Sequence, residues 1–137
     1  MGLIFQGNRK WNEQCDKMIK SLHYGVKKNN KTWKNPIMIP AAKFKMYKTC
    51  SLSKLMYGCP ALEFTKNETG KINIAVNKCI NKVLNFHPRS CSLFLRMMTN
   101  TLYYENNAVM AISKFFKSWS QLDVIRYPKF ILNRIVD

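Results

Sequence analysis

The strongest constraint on this chain is an apolar stripe made by Ile72, Ala75, Val76, Cys79, Ile80, Val83 and Leu84. Residues three and four apart share one face of a helix, so a stripe this wide has to be buried against other elements. The spacing predicts a helix near 69–86, capped by Thr69 and broken by His87-Pro88-Arg89. A second stripe of Trp11, Cys15, Met18, Ile19, Leu22 and Val26 predicts a helix near 10–26. Pro40 suits the first position of a third, near 40–57, with Phe44, Tyr47, Ser51 and Leu55 on one face and Gly58-Cys59-Pro60 ending it. Two further helices are expected near 90–101, capped by Ser90 and burying Leu93, Phe94 and Met97, and near 105–120, burying Ala108, Ile112, Phe115, Phe116 and Trp119. Leu3-Ile4-Phe5 before Gln6-Gly7-Asn8 reads as a short strand over 2–6, and Phe130 to Val136 as a final turn or two. The basic, Asn-rich stretch 27–39, with only Trp33 to anchor it, reads as a flexible loop. The expected fold is therefore mainly α: a single helical domain over 1–137, a bundle of about five helices with a short N-terminal strand.

The sequence has 137 residues and 47% hydrophobic content, enough to build a core. Against 7 acidic residues it carries 23 Lys and Arg, a formal net charge of +16. Such a surface attracts polyanions. Nucleic acid, an anionic membrane face and an acidic protein would all satisfy the sign. No run of 18 or more apolar residues is present, which argues against a membrane span. Gln6 stands where an N-myristoylation signal requires Ser or Thr. The five cysteines, Cys15, Cys50, Cys59, Cys79 and Cys91, form no Cys-x-x-Cys pair and no zinc-finger spacing. Cys15, Cys79 and Cys91 are expected as reduced core thiols in an intracellular, reducing compartment.

Chemistry at a site needs groups that converge, and the sequence offers few. Asp16, Asp123 and Asp137 are isolated from one another. Glu13 and Asp16 share a helix face, but they belong to a first turn, where acidic residues suit the helix dipole. His23 has no recognisable nucleophile beside it in sequence, and Cys91 four residues after His87 is a weak pairing. The five glycines form no phosphate loop. No catalytic residue, metal ligand or cofactor is expected, and the chain is read as not an enzyme. What remains is basic residues interleaved with aromatics, as in Lys43-Phe44-Lys45-Met46-Tyr47-Lys48 and Lys114-Phe115-Phe116-Lys117-Ser118-Trp119. On a helix such segments separate into rings facing the core and lysines facing solvent, where the lysines can meet phosphates.

Read in order, several segments resemble one family. Gly2-Leu3-Ile4-Phe5 followed by Trp11 is similar to the element that closes the palm of jockey-like and CR1-like non-LTR retrotransposon reverse transcriptases. Phe44 to Lys48 leading to Leu55-Met56-Tyr57-Gly58-Cys59 resembles their helix ending in Tyr-Gly. Val76 to Ile80, Val83-Leu84-Asn85 and Pro88-Arg89-Ser90 resemble the stretch that follows in their thumbs. The resemblance covers about residues 2–116 and departs from the pattern at Gln14, Leu62, Asn81 and Asn85, where His, Trp, Arg and Gly are usual. It implies a thumb-like helical fragment that holds RNA or an RNA/DNA duplex by its phosphates. The family's catalytic aspartates lie upstream of this region, and this sequence has no aromatic-x-Asp-Asp motif. Lys43, Lys45, Lys48, Lys78, Lys82, Arg89 and Arg96 are the expected phosphate contacts. The alternative expectation is a structural subunit of a larger ribonucleoprotein, such as an organellar ribosome.

Overall fold

A computed structural model describes residues 11–56 and 64–121. The fold is mainly α. Its elements are α1 (Asn12–Lys28), α2 (Asn30–Lys34), α3 (Pro40–Tyr47), which continues through a π-helical turn (Lys48–Leu52) into α4 (Ser53–Leu55), then α5 (Lys66–Leu84), α6 (Ser92–Thr99) and α7 (Tyr104–Ser120). The expected strand 2–6 and the turns at 130–136 lie outside the described residues. None of the described helices is long and apolar enough to cross a membrane.

α5 is the central element because its stripe is the widest. α1, α2, α3, α6 and α7 all pack on it, and α1 also packs on the π-helical turn and α4. The two long stripes bury as their spacing predicts: Cys15, Met18, Leu22 and Val26 of α1 meet Ile72, Ala75, Val76, Cys79, Ile80 and Val83 of α5, with Tyr47 and Leu55 closing the third side. At Gly25 a Cβ atom would lie 3.0 Å from Ser51 Oγ, so the absent side chain lets α1 approach the π-helical turn. Thr49 Oγ1 of that turn donates back to Lys45 O or Met46 O of α3, both at 3.1 Å, and Ser53 Oγ of α4 donates to Thr49 O.

Four local expectations need correction. The cap of α5 is Thr65, not Thr69: Thr65 Oγ1 accepts from Glu68 N at 3.4 Å, and Glu68 Oε2 accepts from Thr65 N at 2.7 Å. This is a reciprocal capping box. Thr69 instead turns its hydroxyl back to Lys66 O at 2.9 Å. Ser90 does not cap α6, because its hydroxyl donates to His87 O at 2.7 Å and Cys91 takes the cap position. The stretch 27–39 is not a plain loop, since α2 forms inside it and Trp33 is 2% exposed, its Nε1 donating to Val26 O at 2.8 Å. A single well-placed indole outweighs the local polarity. Lastly, α6 and α7 do not bury their apolar stripes: Leu93, Phe94, Met97, Ile112, Phe115 and Phe116 are exposed, while Leu95, Arg96 and Tyr104 are the buried residues.

A long-range tie replaces the cap that α7 lacks. Tyr103, at its N-cap, supplies no side-chain acceptor, but Asn73 of α5 accepts from Tyr104 N through Oδ1 at 3.0 Å. The Nδ2 of Asn73 donates to Glu105 Oε2 at 3.0 Å. α5 and α6 both end on an asparagine in the left-handed region, Asn85 (φ 58°) and Asn100 (φ 47°), where Asn is tolerated better than most residues.

Candidate nucleic-acid interface

Lys71, Lys78 and Lys82 stand seven and four residues apart on α5, rotations that bring all three within about 20° of one line along the helix. Lys71 and Lys78 border a shallow hollow of about 240 Å³ together with Ile19 and His23 of α1. Lys78 and Lys82 border a larger cavity of about 430 Å³ with Asn30, Trp33 and Lys34 of α2. Its remaining walls are Asn81, Asn85, Phe86 and Pro88. Lys78 belongs to both hollows, so the four lysines form one cationic strip from α5 onto α2. No acidic side chain is among the residues lining either hollow. The carboxylates Glu13 and Asp16 instead border a separate hollow with Lys17 and Lys20. From Lys71 to Lys82 the strip spans about 16 Å along the helix axis, the rise of roughly five phosphates on one duplex strand.

The structure divides the sequence candidates. Lys78 and Lys82 are exposed and adjacent on the strip. Arg89 is exposed one residue beyond the cavity wall at Pro88. Lys45 and Lys48 are exposed on α3 and the π-helical turn and line none of these hollows. Lys43 is half-buried, and its Nζ donates to Trp33 O at 2.7 Å, tying α3 to α2. Arg96 is 5% exposed. Its Nε donates to Asn77 Oδ1 at 2.9 Å, Nη1 to Leu102 O at 2.9 Å and Nη2 to Asn73 O at 3.3 Å, and the guanidinium lies 4.8 Å from the Tyr103 ring centroid. It is a structural tie across α5 and α6, not a phosphate contact. Lys34 and Lys71 are missing from the sequence candidates. The spacing of Lys71, Lys78 and Lys82 was visible as a helix face, but the place of Lys34 depends on Trp33 anchoring α2.

The nucleophile candidates are held in unreactive forms or stand alone. Cys79 Sγ meets His23 Nδ1 at 3.6 Å, a pairing across 56 residues that local sequence does not reveal. Burial pushes the Cys79 thiol up to about 12, with Lys82 opposing, so it keeps its proton beside the ring. Cys15 is pushed up to about 11 by burial and then by the Glu68 carboxylate. Cys91 is not the core thiol expected from its spacing: it is exposed, and the backbone N–H groups of Phe94 and Leu93 hold its thiol below the usual range. His87, its neighbour in sequence, instead uses Nδ1 to accept from Arg89 N at 3.2 Å. Among the described residues no three His, Cys, Asp or Glu side chains come together as a metal-binding group.

Comparison with known protein families, with curated proteins and with solved structures finds no match to this chain.

Proposed function

We propose that this chain is a non-catalytic nucleic-acid-binding helical domain that grips RNA or an RNA/DNA duplex through phosphates, descended from the thumb of a non-LTR retrotransposon reverse transcriptase. The observation that carries the binding half is the cationic strip of Lys34, Lys71, Lys78 and Lys82, unopposed by any acid lining its hollows. Four ammonium groups on a rigid helix pair act electrostatically and without sequence preference. The origin is read from the resemblance of the segments between residues 2 and 116. The thiols of Cys15 and Cys79, raised by burial, fit a non-catalytic role.

Binding of a short RNA, followed by fluorescence anisotropy across a salt series, tests this reading. The affinity is expected to fall linearly on a log–log plot, and replacing Lys34, Lys78 and Lys82 together by Ala is expected to shallow the slope by about 2 to 3. No binding at low salt, or a slope indifferent to the triple substitution, sinks the proposal.

A second reading, a structural subunit of a larger ribonucleoprotein, is favoured by the apolar surface of α6 and α7, where Leu93, Met97, Met98, Val109, Phe115 and Phe116 are exposed. It predicts that the chain sediments stoichiometrically with a large RNA-containing particle and binds RNA weakly when isolated. Sedimentation as a free small protein, together with tight RNA binding in isolation, rules it out.

A further inference from the structure

We infer that the cavity between α2 and α5 is a base-binding subsite, which takes one unstacked nucleobase of a single strand whose phosphates lie along the lysine rim. This inference rests on the reading that the strip binds nucleic acid, and it names the form of nucleic acid the strip takes. Phosphate alone calls for cations and N–H donors, yet this cavity is lined by Trp33, Phe86 and Pro88 as well as by Lys34, Lys78 and Lys82. A lining that joins aromatic and proline faces to cations matches a flat, apolar ring attached to an anionic backbone. The volume, about 430 Å³, falls within the range of roughly 300 to 1,000 Å³ typical of small-ligand pockets.

Asn81, also among the lining residues, is 6% exposed, and its Nδ2 donates to Pro88 O at 3.4 Å, which ties α5 to the segment that closes the cavity. Phe86 is 38% exposed, with its ring tilted at 52° to that of Phe94 and 6.4 Å from it between centroids. In an intact duplex the bases are already stacked and paired, and turning one into the cavity requires breaking both interactions. A single strand avoids that cost.

The test compares a short single-stranded RNA with the same strand fully paired to its complement, using the whole chain. Phe86→Leu keeps apolar bulk but removes the ring. It is expected to weaken single-strand binding roughly tenfold or more and to leave duplex binding within about twofold, while Phe86→Tyr retains both. The unaltered protein gives an independent readout: a strand of the same length without bases should show at least a comparable loss. If Phe86→Leu and the base-free strand both leave affinity unchanged, or if the substitution weakens strand and duplex equally, the base subsite is overturned and the cationic strip stands. If neither RNA binds at low salt, both proposals fall.

Discussion

Trp33→Ala is expected to lower the unfolding free energy by about 4 kcal/mol, within the range for emptying a large aromatic site. The indole is 2% exposed and is the only buried residue of α2. Its Nε1 holds Val26 O at 2.8 Å, and its own carbonyl accepts from Lys43 Nζ at 2.7 Å, so one residue joins α2 to both α1 and α3. Truncation opens a cavity and leaves the Val26 carbonyl without its indole donor. Trp33→Phe separates the two contributions: it keeps most of the packing and loses the N–H, for a cost of about 1 to 2 kcal/mol. Urea unfolding followed by far-UV circular dichroism measures both. A loss below about 2 kcal/mol for the alanine variant would show that α2 is not held by this side chain. Because Trp33 also walls the cavity beside Lys34, RNA binding should weaken even under conditions where the variant is folded.

Arg96→Ala is expected to cost about 3 kcal/mol and to lower the melting temperature by about 10 °C. Burial, the main influence on this group, lowers the pKa of the guanidinium, with Tyr103 and Tyr47 opposing. Desolvation therefore works against the charge, and the hydrogen bonds to Asn77, Leu102 and Asn73 offset it. Removing the side chain strips a charge-assisted donor from three acceptors at the junction of α5, α6 and the start of α7. Arg96→Lys should rescue less than half of the loss, since one ammonium cannot serve acceptors lying in several directions. The RNA salt slope should stay unchanged in either variant while it remains folded. A slope that shallows by about 1 would restore Arg96 as a phosphate contact.

Much of the fold was legible in the sequence because helix periodicity is local. The stripes of α1 and α5 repeat every three or four residues, and each buried as its spacing implied. The helix ends were less legible. Thr65 and Thr69 are chemically alike, and the choice lay in the Thr-x-x-Glu pattern of Thr65 and Glu68, a signal that was present. The candidate site was half legible: Lys78 and Lys82 belong to it, whereas Lys43 and Arg96 are drawn inward by a carbonyl of α2 and by acceptors on α5 and beyond α6. A basic residue in a sequence carries its charge but not its destination.

The sequence by itself determined that this chain is helical, that α1 and α5 form its core and that its surface is strongly basic, since each follows from side-chain chemistry at fixed local spacing. Only the tertiary structure decided which apolar stripes are covered. α6 and α7 have stripes as regular as the others, yet their packing on α5 buries Leu95, Arg96 and Tyr104 and leaves Phe94, Phe115 and Phe116 outside. The reason is that burial requires a partner surface. Here the partners are set by contacts such as Asn73 with Tyr104 and Cys79 with His23, which join residues 31 and 56 positions apart. The alignment of Lys34 with Lys78 and Lys82 is a result of the same kind. It exists because one buried indole holds a short helix against α5, and no local pattern in the chain records that.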